Sequence, residues 1–114
     1  VYDHANGSQR IEAYDGENRF QWHGTELWSV AATGRATLLN RFSIPIQDVV
    51  LLNKPGQLLI AFPTSLVAYE PRYAHSQILW EGGSVDRVVV DQRHRHIYFL
   101  GTVGKKNGWF ELAY

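Results

Sequence analysis

Cysteine is absent from these 114 residues, which excludes a disulfide framework, a thiolate nucleophile and a cysteine-ligated zinc site. Excess charge of either sign is absent as well. Lys plus Arg and Asp plus Glu are 11 each, so no overall field draws the chain to nucleic acid or to an anionic surface. Long apolar runs are missing: no window approaches the roughly 18 residues of a membrane-spanning helix, and the longest runs, such as Leu58 to Pro63, are strand-sized. Also missing is any stripe of helical period over eleven or more residues. No serine lies in a Gly-x-Ser-x-Gly elbow, and no Ser/His/Asp pairing follows from spacing, so the expectation is a protein without catalytic residues and without a cofactor.

What remains is β-forming. Hydrophobic residues make up 45% of the chain, enough for a core of its own, and 114 residues suit one domain. Short segments rich in Val, Ile, Leu, Tyr, Phe and Trp alternate with turn-forming clusters such as Asn6-Gly7, Lys54-Pro55-Gly56 and Asn107-Gly108. Eleven strands are predicted: 9–15, 18–23, 26–31, 35–42, 48–53, 57–62, 65–70, 77–81, 87–91, 96–101 and 108–114. The fold class is all-β, built of antiparallel hairpins.

Self-comparison gives an internal repeat. Asp48 to Asn53 aligns with Asp86 to Asp91 at an offset of 38, which also carries Leu59 to Phe62 onto Ile97 to Leu100. Thr25 to Trp28 matches Thr64 to Val67 at 39, Leu38-Leu39 matches Ile78-Leu79 at 40, and Leu66 to Tyr69 matches Glu111 to Tyr114 at 45. The unit is about four strands, repeated nearly three times over 9–42, 48–81 and 87–114. A period near forty with four strands per unit resembles the blades of β-propellers of the WD40 and quinoprotein kinds. The segment Ser29 to Leu38, with its Thr33-Gly34 turn, and the segment Ala68 to Trp80 carry that resemblance. It departs from those families in having no Trp-Asp dipeptide, and fewer than three units do not close a ring. Closure therefore requires Val1 to Asp3 as an added strand, an assembly of several chains, or hairpins packed as a β-sandwich or barrel. The first residue is Val1 and the apolar pattern runs to Tyr114, so a chain cut from a longer precursor or a larger protein is expected.

The candidate contact residues follow from chemistry. Four Trp, six Tyr and five Phe give 13% aromatics, and Trp28 and Trp109, beside turns, are the expected anchors for a protein partner or for the faces of a carbohydrate. Lys105 and Lys106 mark an insertion relative to the repeat, expected as a loop on a binding face. Arg93 and Arg95 make a short basic cluster; with charge balanced overall, nucleic acid is not the expected partner. His94 and His96 alternate on one strand and could share a metal, but Asp, Glu or a third His is not at a supporting spacing, so a polar turn is the expected role. Asp48, Asp86 and Asp91, at turns or strand edges, are expected to cap backbone N–H groups rather than act as acids. The expected function is a non-catalytic protein-interaction module; a lectin and an enzyme fragment are the alternatives.

Overall fold

The computed structural model describes residues 10–14, 18–53 and 56–114. These form eleven strands and no helix: β1 (Arg10–Tyr14), β2 (Asn18–His23), β3 (Glu26–Ala31), β4 (Ala36–Arg41), β5 (Asp48–Asn53), β6 (Gln57–Phe62), β7 (Ser65–Glu70), β8 (His75–Glu81), β9 (Ser84–Asp91), β10 (His96–Val103) and β11 (Lys106–Ala113). The expected turns at Asn6-Gly7 and Lys54-Pro55, and the expected role of Val1 to Asp3, lie outside the described residues.

All pairing is antiparallel between chain neighbours, in three separate sheets: β1-β2-β3-β4, β5-β6-β7-β8 and β9-β10-β11. We call them the first, middle and last sheets. Two-residue turns link their second and third strands, at Gly24-Thr25, Pro63-Thr64 and Gly104-Lys105. Each crossover hangs from the turn of the preceding sheet. Phe42 N–H donates to Thr25 O and Ile46 N–H to Gly24 O; correspondingly, Gly82 N–H donates to Thr64 O and Val85 N–H to Pro63 O. These bonds hold the first strands β1, β5 and β9 side by side.

The middle sheet is covered on both faces, which explains its unbroken apolar runs. Alternate residues Leu58, Ile60, Phe62, Val67 and Tyr69 pack with Phe20, Trp22 and Leu27 of the first sheet. The residues between them, Leu59, Ala61, Leu66 and Ala68, pack with Val85, Val88, Ile97 and Phe99 of the last sheet. Aromatic pairs join the layers: Phe42 meets Phe62 and Tyr69 edge-on at 5.3 and 5.5 Å, and Trp80, Phe99 and Phe110 form a chain with centroids 4.6 and 5.4 Å apart.

The strand register agrees with some of the offsets found by self-comparison and corrects one. Counting from the turns, the first and middle sheets correspond at 39 over β3 and β7 and at 40 over β4 and β8, and both carry a bulge at the same place, beside Trp28 and Val67. The expected offset of 38 into the last sheet does not preserve faces. Leu59 and Ala61 pack in the same cluster as their supposed equivalents Ile97 and Phe99, so they meet across the interface instead of occupying matching positions. Alignment on the turns gives 41, because Phe62 and Val103 both close a two-residue turn. Side-chain period two makes the difference: an even offset set against an odd one exchanges the faces. The loop expected at Lys105 and Lys106 is a two-residue hairpin turn, since Val103 and Lys106 pair across it.

Candidate functional site

The last sheet has one face packed on the middle sheet and one face with no sheet against it among the described residues. Cross-strand register assembles the uncovered face. Val89 lies beside Tyr98, which lies beside Glu111; Arg87 lies beside Leu100, which lies beside Trp109. Val89 is 50% and Trp109 55% exposed, while Tyr98 and Leu100 are half-buried by their neighbours. On the turn-based alignment Leu100 corresponds to Leu59 and to Phe20, both buried under the following sheet at 0% and 3%. The face is thus the counterpart of two surfaces that are covered elsewhere in the same molecule.

The opposite end of the stack differs. The outer face of the first sheet puts Gln21, His23 and Glu26 around Trp28, Val30 and Ala36 in a shallow hollow. Where the middle sheet has Ile60 and Phe62, the first has Gln21 and His23 at the positions matched by the turns. Polar residues at these positions suit a face that meets water rather than another sheet. Trp28, expected as an exposed anchor, is half-buried there, and its indole N–H donates to Glu26 at 3.2 Å. Glu26 also pairs with Arg41 at 2.7 Å.

The remaining expected contact residues do not converge. Lys105 sits in the β10–β11 turn and Lys106 opens β11, whereas Arg93 and Arg95 lie in the turn at the other end of β10, about 23 Å away along an eight-residue strand. No single basic patch combines them. Arg93 is exposed. Arg95 is committed to structure: at φ 57, its side-chain N–H donates to Tyr114 O at 3.0 Å and its guanidinium lies 4.8 Å from the Tyr114 ring centroid. His94 and His96 have separate partners, Asp91 at 2.8 Å and Glu111 at 3.0 Å. No group of three or more His, Cys, Asp or Glu side chains is gathered for a metal among the described residues. Asp48 accepts the Val49 N–H at 3.0 Å, and Asp91 accepts the His94 N–H at 3.2 Å. Asp48 and Asp86 line a polar hollow with Gln47 and Arg87.

Two carboxylates titrate below their ordinary values. Hydrogen bonds from His94, side chain and then backbone, hold Asp91 below 3.8, and the Arg41 guanidinium and then the Trp28 indole hold Glu26 below 4.5. A carboxylate whose folded pKa is depressed stabilises the fold above its unfolded value, and that contribution is lost as pH falls through the folded one. Both groups are exposed, so the effect is small and salt-screened. Denaturant midpoints of Asp91→Asn and Glu26→Gln are expected to approach that of the parent chain as pH is lowered from 6 towards 3; a gap that stays constant would refute the assignment.

Val89, Tyr98 and Leu100 were not singled out as contacts by the sequence. The available signal is the run Val88-Val89-Val90 facing Ile97-Tyr98-Phe99, apolar on both faces, in the last sheet. No family model matches the chain, and no curated protein matches it. Among solved structures, a chain in an assembly of S. cerevisiae Dbp5 bound to Nup159, Gle1, IP6 and ADP is similar in fold, with a TM-score of 0.56 and 15% sequence identity over 89% of this chain and 29% of that chain. The chain spans less than a third of the length of that neighbour.

Proposed function

We propose that the chain is a non-catalytic protein-interaction module of propeller-like repeats, acting within a larger protein or an oligomer, and that it docks a protein partner on the uncovered face of its last sheet. The observation that carries this reading is the pairing of Val89, Tyr98, Leu100 and Trp109 on one flat face, with Arg87 and Glu111 beside them. An apolar centre with a charged rim is the anatomy of a protein contact, and a rigid, half-exposed Trp is a favoured anchor. A fold likeness to a chain from a multi-protein assembly agrees in kind.

Trp109 also supports a second reading. Its exposed ring shares the face with Asn107 and Glu111, and an aromatic platform flanked by polar groups suits the apolar face of a sugar. Capture of binding proteins on immobilised chain separates the two. Val89→Asp and Trp109→Asp are each expected to abolish capture, while Tyr73→Asp, at an exposed turn residue elsewhere, leaves it intact. Equal capture by all three variants would defeat the proposal. Binding on a glycan array that disappears with Trp109→Ala, the fold being kept, would replace the protein partner with a carbohydrate.

A further inference from the structure

We propose that two copies of this chain pair through the open edge of β11, antiparallel about a two-fold axis at Trp109, joining their last sheets into one six-stranded sheet. This goes beyond the face described above, because it uses the backbone edge of the sheet and not its side-chain surface.

The third strands of the other sheets, β3 and β7, each lie between two strands, whereas among the described residues β11 is paired with β10 alone. At eight residues β11 is also longer than the outermost strands β4 and β8, at six and seven. An unpaired edge of this length is a template for another strand, and proteins that avoid such pairing place charge or proline along it. Here Lys105 and Lys106 lie at one end, and from Gly108 to Leu112 the only charge is Glu111.

The geometry fixes which backbone groups are open. Val103 and Lys106 close a two-residue turn, a position that exchanges both backbone hydrogen bonds, and bonded pairs then recur at every second residue. At the far end Tyr114 N–H donates to Arg95 O, in phase with that count. The N–H and C=O groups of Asn107, Trp109, Glu111 and Ala113 therefore point away from β10, to the open side.

Those residues are self-complementary. With Trp109 opposite its own copy, Asn107 faces Glu111 of the partner subunit in a bonded pair, and Gly108 faces Phe110 of the partner subunit. The Asn107 Oδ1 already accepts the Thr102 hydroxyl at 2.7 Å, which leaves its amide N–H groups to donate to a carboxylate. His96 holds one oxygen of Glu111 at 3.0 Å and leaves the other available. A phenylalanine across from a glycine restores the packing that glycine lacks. Odd residues meet odd residues in this register, so the two uncovered faces emerge on the same side and form a doubled platform. One edge and a pair of indoles bury less than a standard interface, so dimerisation is expected in the micromolar range or weaker.

Sedimentation velocity on the 114-residue chain is expected to show a concentration-dependent monomer–dimer equilibrium. Because the chain has no cysteine, Trp109→Cys is a clean reporter: bonded residues directly opposite lie about 5.5 Å apart at Cα, within disulfide reach. Mild oxidation is expected to link that variant into a dimer and to leave Thr37→Cys, on the β4 edge, monomeric. Glu111→Pro removes an outward N–H and no backbone hydrogen bond to β10, losing there only the side-chain pair with His96, so it is expected to weaken association at least tenfold with the circular dichroism spectrum unchanged. Asn107→Lys, placing a cation opposite Glu111, is expected to strengthen it several-fold. A monomer at millimolar concentration, or equal crosslinking at positions 37 and 109, overturns the proposal. Val89→Asp, which defeats the partner-binding face, should leave the dimer intact, so the two readings fail separately.

Discussion

Leu59→Ala is expected to cost about 3 kcal/mol of folding stability, and Leu100→Ala less than about 1 kcal/mol, although the two leucines hold corresponding positions three residues before a two-residue turn. Leu59 is fully buried between the middle and last sheets. Its truncation leaves a cavity walled by Val85, Val88, Ile97 and Phe99, which sit in a hydrogen-bonded sheet and relax only in part. Leu100 faces solvent on one side, so water fills the space left by its lost atoms and only part of its transfer free energy is at stake. At a few degrees per kcal/mol for a domain of this size, the melting temperatures of the two variants should differ by roughly 8 °C. Measurement at low protein concentration keeps any association out of the comparison. Equal losses for the two variants would mean that the outer face of the last sheet is covered after all.

The second large effect is expected at Gly101. A β-carbon there would stand 1.9 Å from Ser84 O and 2.9 Å from Ser84 C, both backbone atoms. Gly83 is equally confined, its β-carbon position being 2.2 Å from Thr102 O. The two glycines let the start of β9 lie against β10 just where the register shifts, between Leu100 and Gly101. A methyl group cannot be accommodated by rotating a flexible side chain. Gly101→Ala must displace the crossover strand, and with it Val85, whose N–H is bonded to Pro63 O. Overpacking of this kind is expected to cost about 3 kcal/mol. Gly104→Ala is the control: its φ is 64 and nothing lies within 4 Å of the added carbon, so only the left-handed backbone penalty of about 1 kcal/mol applies. Denaturant unfolding of the two variants checks the ranking, and a Gly101→Ala protein as stable as Gly104→Ala would show that the close approach carries no strain.

Strand content was legible in the sequence because the pattern has period two and its turns have distinctive chemistry. Ends were less legible. β9 begins at Ser84, three residues before the expected Arg87, since Thr102, Gly101 and the Pro63 carbonyl recruit Ser84 and Val85 into pairing, and none of these partners is near in sequence. Between the first and middle sheets the offsets of 39 and 40 coincide with the strand register, since no residue is inserted within the paired strands. The offset slipped in the last sheet because apolar residues occupy both faces of β6 from Leu58 to Phe62 and of β10 from Ile97 to Leu100, and an apolar run has no internal mark of which residue points which way.

The same ambiguity governs the site. By itself the sequence determined an all-β chain of hairpins, its alternation, the absence of cysteine chemistry, and a short roll of aromatic and basic residues. Exposure was decided only by the tertiary structure. Trp28 and Trp109 look alike as letters, yet the first is tied to Glu26 on a polar end sheet and the second stands out from an apolar one. Which face of a strand meets another sheet depends on how many sheets follow it in the stack, and that is a property of long-range packing rather than of any local pattern.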